Sequence, residues 1–143
     1  MPVRGRGIDL DTLYFARASI TAPVNTTATS SATATSVLST GVFTLEGPTV
    51  CLIEVFAASI TKGTTNIDLE LWEGSTTFLA SLTGHMAASI AVPGAQLSSI
   101  QTLAGGNHTL TVRGFVDAGT GTLGAGTGAT GQSPPSTILV SPV

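Results

Sequence analysis

Apolar residues recur with a period of two along much of this chain, most strongly in residues 49–59. The odd-numbered positions of this segment form an apolar face of Cys51, Ile53, Val55 and Ala57. The even-numbered positions form a second face of Val50, Leu52 and Phe56, interrupted by Glu54. Successive side chains of a β-strand point to opposite faces, so this pattern predicts a strand. Because both faces are largely apolar, we expect the strand to be buried on both sides.

Residues 66–72 alternate more cleanly, with Ile67, Leu69 and Leu71 predicted to face inward. The predicted outward set is Asp68, Glu70 and Trp72. Similar patterns predict strands at residues 8–20, 37–45, 76–82, 86–92, 97–103, 108–116 and 137–140. Turn residues separate them at intervals of about 8 to 12 residues, which is typical of β-sandwiches. The chain is therefore predicted to be all-β, a single β-sandwich or jelly roll of about eight to ten short antiparallel strands.

The 143 residues fit one domain with an N-terminal extension. Residues 1–7 are predicted to form an extended arm, because Pro2, Gly5 and Gly7 oppose helix formation. This arm carries Arg4 and Arg6. The β-sandwich domain then covers residues 8–143. Residues 21–36 form an uncharged Thr/Ser/Ala tract, for which we favour an ordered, extended path over a flexible linker.

Charged residues make up only 9% of the chain. Residues 74–112 and 118–143 contain no Lys, Arg, Asp or Glu. Charge keeps protein surfaces hydrated and mutually repelling, so a surface this poor in charge is predicted to be covered by neighbouring copies or by a partner. We expect these two segments to line subunit contacts.

Several classes of protein are disfavoured by the same composition. The apolar runs 50–53 and 55–60 are shorter than the roughly 20 residues of a transmembrane helix. The first residues lack the apolar core of a secretory signal, which favours synthesis in a cytoplasm, and the single Cys51 suits that reducing compartment. A net charge of −3 disfavours nucleic-acid binding.

No catalytic, cofactor or metal site is predicted. Asp68 and Glu70 on one strand face, about 6 to 7 Å apart by strand rise, could serve glycoside hydrolysis, but a solvated strand face is the favoured interpretation. His85 and His108 lack the spacing of metal ligands and are expected to hydrogen-bond to backbone or water. Cys51 is expected to be an inert core thiol, because it lies within the predicted buried strand.

Glu54 requires a partner if the strand that carries it is buried, because a buried unpaired charge is costly. Arg113 lies in the other strongly apolar strand, at 108–116. We therefore expect Glu54 and Arg113 to form a charge pair, either across the sheet or across a subunit interface.

The C-terminal part of the chain resembles a known class of protein. Residues 103–143 contain LAGGNHTLTVRGFVDAGTGTLGAG followed by STILV. They resemble the closing strands of small jelly-roll or β-sandwich structural proteins of tailed-bacteriophage virions, which include capsid decoration (cement) proteins and related fibre-head domains. The segments VCLIEVFAASIT and NIDLELWEG fit the same layout, which is similar to the trimeric jelly rolls of the tumour-necrosis-factor and complement-head type.

This resemblance implies a homotrimer that binds the major capsid protein on the outside of a phage head and stabilises the shell. The protein would be made in the cytoplasm of the host bacterium and reside in the virion. The residues expected to contact the capsid or a neighbouring subunit are Arg4, Arg6, Tyr14, Phe15 and Arg17. The alternative is a receptor- or glycan-binding module at a fibre or tail tip, with Asp68, Glu70 and Trp72 as its exposed patch.

Overall fold

The computed structural model describes residues 14–83 and 92–143. These residues form twelve β-strands and a 3-10 turn at Ser31–Thr33. The strands are β1 Ala16–Ile20, β2 Val24–Thr26, β3 Thr35–Ser39, β4 Phe43–Leu45, β5 Thr49–Thr61, β6 Ile67–Glu73, β7 Thr77–Ser81, β8 Val92–Leu103, β9 Gly106–His108, β10 Leu110–Val116, β11 Gly121–Gly124 and β12 Ser136–Pro142. The predicted all-β sandwich is confirmed.

Two antiparallel sheets form the sandwich. The large sheet has six strands in the order β1-β12-β5-β11-β2, with β8 on the other side of β5. The small sheet has four strands in the order β3-β10-β6-β7, and β4 pairs with β9 in a separate short ladder. Within the described ranges, no helix is long and apolar enough to cross a membrane.

The core lies between the inner faces of the two sheets. The large sheet contributes Ile53 and Val55 from β5 and Ile138 from β12, all fully buried. The small sheet contributes Leu71 from β6 and Val112 from β10, and all of these residues belong to one apolar cluster. Burying a side chain of this size stabilises the fold by about 1.5 to 3 kcal/mol. The cluster is therefore the main stabilising contact between the sheets.

Strand β5 is the central strand of the large sheet. Its 13 residues pair with β8 along one side, and with β12 and then β11 along the other. Its odd-numbered residues from Cys51 to Ala57 are buried, whereas the even-numbered Leu52, Glu54 and Phe56 are half-buried. The prediction of a long central strand is confirmed, but its second face lies on the outside of the sandwich.

Polar side chains in the interior bond to backbone groups. Ser136 Oγ donates to Gly124 O at 2.6 Å and accepts from the Ala58 amide at 2.8 Å. Thr26 Oγ1 lies 2.9 Å from Gly114 O, across the sandwich. Among the described residues, no buried side-chain nitrogen or oxygen lacks a hydrogen-bond partner. These bonds remove the cost of burying the hydroxyls and hold β2, β11 and β12 in register.

Several strand boundaries differ from those predicted. The predicted strand 37–45 divides into β3, in the small sheet, and β4, which pairs with β9. The predicted turn at Pro93-Gly94 lies inside β8, where Gly94 adopts a φ of +62°. The glycine-rich segment after residue 119, predicted as a loop, contains β11. The arm 1–7 and most of the predicted strand 86–92 lie outside the described residues.

Gly121 explains why a glycine-rich segment, which predicts a loop, contains strand β11. A Cβ atom at this position would lie 2.6 Å from Val116 Cγ1 and 2.9 Å from Ile67 Cδ1, both in the core. Real Cβ atoms do not approach so closely, so β11 needs glycine to lie against the small sheet. The same residue type that signals a loop in the sequence is therefore a packing requirement here.

Candidate assembly surface

The outward-pointing residues of four neighbouring strands form a continuous surface, which we call the outer face of the large sheet. Each alternates with a residue that points toward the core. The surface comprises Arg17 and Ser19 on β1, Thr137, Leu139 and Ser141 on β12, Val50, Leu52, Glu54 and Phe56 on β5, and Gln96, Ser98, Ile100 and Thr102 on β8.

A shallow groove of about 590 Å³ runs across the outer face. It is lined by Tyr14, Arg17, Glu54, Phe56, Gln96, Thr137, Leu139 and Ser141. Aromatic and aliphatic groups supply much of this lining, and two groups of opposite charge lie within it. A groove of this composition suits side chains of another protein.

Large apolar side chains are exposed beside the groove. Val50 is 46% exposed and Ile100 is 62% exposed. The two lie on adjacent strands, because Leu52 is the register partner of Ile100 and Val50 is two residues from Leu52. Leu52, in turn, is only half-buried. A contiguous exposed apolar patch is typical of a protein interaction site.

Strand β8 forms one edge of the large sheet as the structure describes it. Among the described strands, β8 pairs only with β5, so the other edge of this 12-residue strand has no partner there. Edge strands are usually protected from further pairing by charge or proline. Strand β8 has Pro93 near its start but no Lys, Arg, Asp or Glu. The edge and the outer face meet along β8, so both belong to one surface.

Tyr14 and Phe15 point to different sides of the sheet. Tyr14 lines the groove, whereas Phe15 is half-buried against the apolar core. The Phe15 amide donates to Val140 O at 2.6 Å. Phe15 therefore packs against the core with part of its surface, and its predicted contact with the capsid or a neighbouring subunit stays a prediction. Arg4 and Arg6 lie outside the described residues.

The structure does not bring Glu54 and Arg113 together within the chain. Glu54 lies in the groove of the large sheet. Arg113 lies on the small sheet, where its Nη2 and Nε donate to Ala34 O at 2.8 and 3.2 Å and its guanidinium lies 4.5 Å from the centre of the Trp72 ring. The predicted contact within one chain is wrong, because Glu54 and Arg113 point outward from opposite sheets. A contact between copies stays a prediction.

Asp68, Glu70 and Trp72 point away from the core, as predicted, but they do not form an exposed patch. Asp68 is 8% exposed and Glu70 is 9% exposed. Glu70 Oε2 accepts hydrogen bonds from Ser31 Oγ at 2.7 Å and from Trp72 Nε1 at 2.9 Å. The 3-10 turn thus covers the carboxylate. This burial removes the geometric basis for a glycan patch at these three residues.

The Trp72 ring is covered on more than one side. Phe78 packs against it edge-to-face, with 5.8 Å between ring centres, and the Arg113 guanidinium lies over it. Because the Arg113 guanidinium lies over the Trp72 ring, it occupies a position where a sugar ring would stack, and the contacts of Trp72 are those of a packing residue.

His108 is buried and bonded on both ring nitrogens. Nε2 lies 2.8 Å from Ala104 O, and since a carbonyl oxygen only accepts, Nε2 carries the proton of that bond. Nδ1 contacts Glu73 Oε1. The expected backbone hydrogen bond is confirmed, whereas the bond to Glu73 was not predicted. Within residues 14–83 and 92–143, no group of three or more His, Cys, Asp or Glu could hold a metal ion.

Among the described residues, Cys51 and Asp117 have pKa values that are shifted from their ordinary values. Burial raises the pKa of the Cys51 thiol, which lies in the core as predicted. Hydrogen bonds from the Thr65 hydroxyl, and then from the Thr65 amide, hold the pKa of Asp117 well below its usual range. Asn66 Oδ1 accepts from the Asp117 amide at 2.9 Å, so this cluster joins two loops and is a structural device.

Comparison of the sequence with models of known protein families and with curated proteins finds no match.

Proposed function

We propose that this protein is a non-enzymatic structural subunit that works by packing the outer face of the large sheet against other protein subunits. The observation that carries the proposal is the exposed apolar patch at Val50 and Ile100, beside a groove and a strand edge that has no partner among the described strands. Apolar burial and strand addition would together supply the affinity.

The specific form of the proposal is a capsid decoration protein. In this role the chain forms a homotrimer that binds the major capsid protein on the outside of a phage head and stabilises the shell. Its support is the resemblance of residues 103–143 to phage virion proteins and the scarcity of charge from residue 74 onward. The N-terminal segment would add contacts through Arg4 and Arg6, which suit acidic groups on a shell.

The assembly part of the proposal is tested by sedimentation equilibrium of the full chain. The wild-type protein should have the mass of an oligomer, and Val50→Lys and Ile100→Lys should each shift it toward the monomer, because each places a charge in the apolar patch. Val42→Lys is the matched control, since Val42 is 72% exposed but lies outside the outer face. A wild-type protein that stays monomeric at all concentrations contradicts the proposal.

The virion part is tested by mass spectrometry of the phage particles that the gene belongs to, separated into heads and tails. The chain should be found in the head fraction, and removal of residues 1–7 should reduce its occupancy there. Absence from particles, or presence in tails alone, contradicts the capsid role while leaving the assembly surface intact.

A further inference from the structure

The two charged residues on the outer face lie in one row across the large sheet. Arg17 is the register partner of Leu139, Leu139 is the register partner of Glu54, and Glu54 is the register partner of Ser98. All four side chains point outward. Neighbouring strands are about 4.8 Å apart, so the Cα atoms of Arg17 and Glu54 lie about 9 to 10 Å from each other, with Leu139 on the strand between them.

Neither charge has a partner in the part of the chain that the structure describes. An ion pair found there joins Glu73 to His108, whereas the side chains of Arg17 and Glu54 make no hydrogen bond or ion pair with another described residue. Yet Glu54 is half-buried in the middle of the sheet, between the half-buried Leu52 and Phe56. A carboxylate in such surroundings gains stability when a cation is brought to it.

We propose that the missing cation is Arg17 of a second copy of this chain, so that the outer face forms a cyclic oligomer held by Arg17–Glu54 bonds between copies. This inference rests on the proposed function, because it names the partner of the same surface. The chain carries both halves of the bond on one face, which makes the face complementary to itself.

The geometry follows from the row. A rotation axis that runs parallel to β12, in front of Leu139, leaves the β12 side chains of all copies facing the axis. Rotation about that axis then carries the β1 side of one copy toward the β5 side of the next. Each Arg17 therefore meets a Glu54, and the Leu139 side chains meet each other between the ion pairs. Both a two-fold and a three-fold axis satisfy this relation.

The test exchanges the two charges. Arg17→Glu and Glu54→Arg each place like charges together, so each should raise the dissociation constant of the oligomer at least about 30-fold. The double variant, Arg17→Glu with Glu54→Arg, restores opposite charges at every contact and should return the constant to within about threefold of wild type. Sedimentation equilibrium at several concentrations measures all four proteins.

Matched controls change the same net charge elsewhere. Lys62→Glu matches the charge change of Arg17→Glu, and Glu46→Arg matches that of Glu54→Arg. Both positions lie in turns rather than on the outer face, so both variants should assemble like wild type. Arg17→Gln and Glu54→Gln, which introduce no repulsion, provide a second cycle, in which the double variant should be no weaker than either single one. Circular dichroism confirms that each variant is folded.

Mixing the Arg17→Glu and Glu54→Arg variants distinguishes a two-fold dimer from a three-fold ring. In a two-fold dimer of one Arg17→Glu copy and one Glu54→Arg copy, both contacts join opposite charges, so an equimolar mixture should assemble like wild type. In a ring of three, at least one contact must join two copies of the same variant, and the mixture should stay weak. The mixture is interpreted once the double variant has restored assembly, because that rescue is the result that requires an Arg17–Glu54 contact; the mixture then distinguishes the dimer from the ring.

Other outcomes overturn this inference without touching the proposed function. If both charge reversals assemble like wild type while Val50→Lys does not, the surface is an interface but Arg17 and Glu54 do not meet in it. If the double variant is as weak as the single variants, the charges act separately. A monomeric wild-type protein overturns both proposals together.

Discussion

The outer face of each sheet carries a glutamate and an arginine, but the two pairs differ in their hydrogen bonding. The small sheet presents Glu70 and Arg113, and the large sheet presents Glu54 and Arg17. Glu70 and Arg113 are bonded within the chain, to the Ser31 hydroxyl and to carbonyl oxygens respectively. Glu54 and Arg17 have no such bond among the described residues. Within the described residues, one face is therefore covered by its own chain and the other is not.

The cause of the difference is the path of the uncharged tract at residues 21–36. After β2, which belongs to the large sheet, the tract crosses to the small sheet, forms the 3-10 turn and continues as β3. It brings Ser31 Oγ to Glu70 and Ala34 O to Arg113. No described segment crosses the outer face of the large sheet in this way. The side chains of both sheets alternate between inward and outward positions, but only the small sheet has outward side chains covered by another described segment.

The largest expected effect is on the free energy of unfolding, and it distinguishes substitutions on the two faces of β5. Ile53 is fully buried, so Ile53→Ala should lower the free energy of unfolding by about 2 to 5 kcal/mol. Leu52, its neighbour on the outer face, is only half-buried, so Leu52→Ala should cost less than about 1 kcal/mol in the monomer. Urea unfolding, monitored at a concentration that keeps the chain monomeric, measures both.

Assembly should respond in the reverse order. Leu52→Ala should weaken the oligomer, whereas Ile53→Ala should leave the affinity between folded subunits close to wild type. Equal losses of unfolding free energy at the two positions would show that the outer face is already covered within the chain.

A smaller effect is expected from the charges of the small sheet. Glu70→Ala leaves Ser31 Oγ and Trp72 Nε1 without their acceptor, and should lower the free energy of unfolding by about 1 to 3 kcal/mol. The matched variant on the large sheet is Glu54→Ala, which breaks no bond within the described chain and should change that free energy by less than about 0.5 kcal/mol. Thermal unfolding of both variants tests the contrast, and a larger loss for Glu54→Ala would reverse it.

The smallest effect concerns the loops at the end of the small sheet. Because hydrogen bonds from Thr65 lower the pKa of Asp117, the unfolded chain takes up the proton first as the pH falls. The stability from this group is therefore present above the ordinary aspartate pKa, about 4, and is lost as the pH falls through the lower pKa of the folded state. The effect is small because Asp117 is exposed to solvent.

The Asp117→Asn variant measures this contribution. The variant should unfold at a lower temperature than wild type at pH 7, and the difference should shrink as the pH is lowered below 4. A difference that stays constant with pH would show that the Asp117 carboxylate charge has no role in the loop.

The sequence predicted the all-β sandwich and the central strand β5, because a period of two residues reports directly on which side chains face a core. It did not predict which outer face is covered. Glu70 has the alternation of a solvated strand, and the three-dimensional path of residues 21–36 is what places Ser31 against it. The bond from His108 to Glu73 and the fit of Gly121 against Val116 also depend on contacts between distant segments, which local patterns do not encode.

Hydroxyl-radical footprinting of the wild-type chain, compared between dilute and concentrated solution, tests the contrast between the two faces most directly. Tyr14, Phe56 and Leu139 in the groove should become protected as the protein assembles. Phe78, which is 50% exposed on the outer face of the small sheet, should react equally in both solutions. Protection of Phe78 without protection of the groove residues would contradict the assignment of the large sheet as the assembly surface.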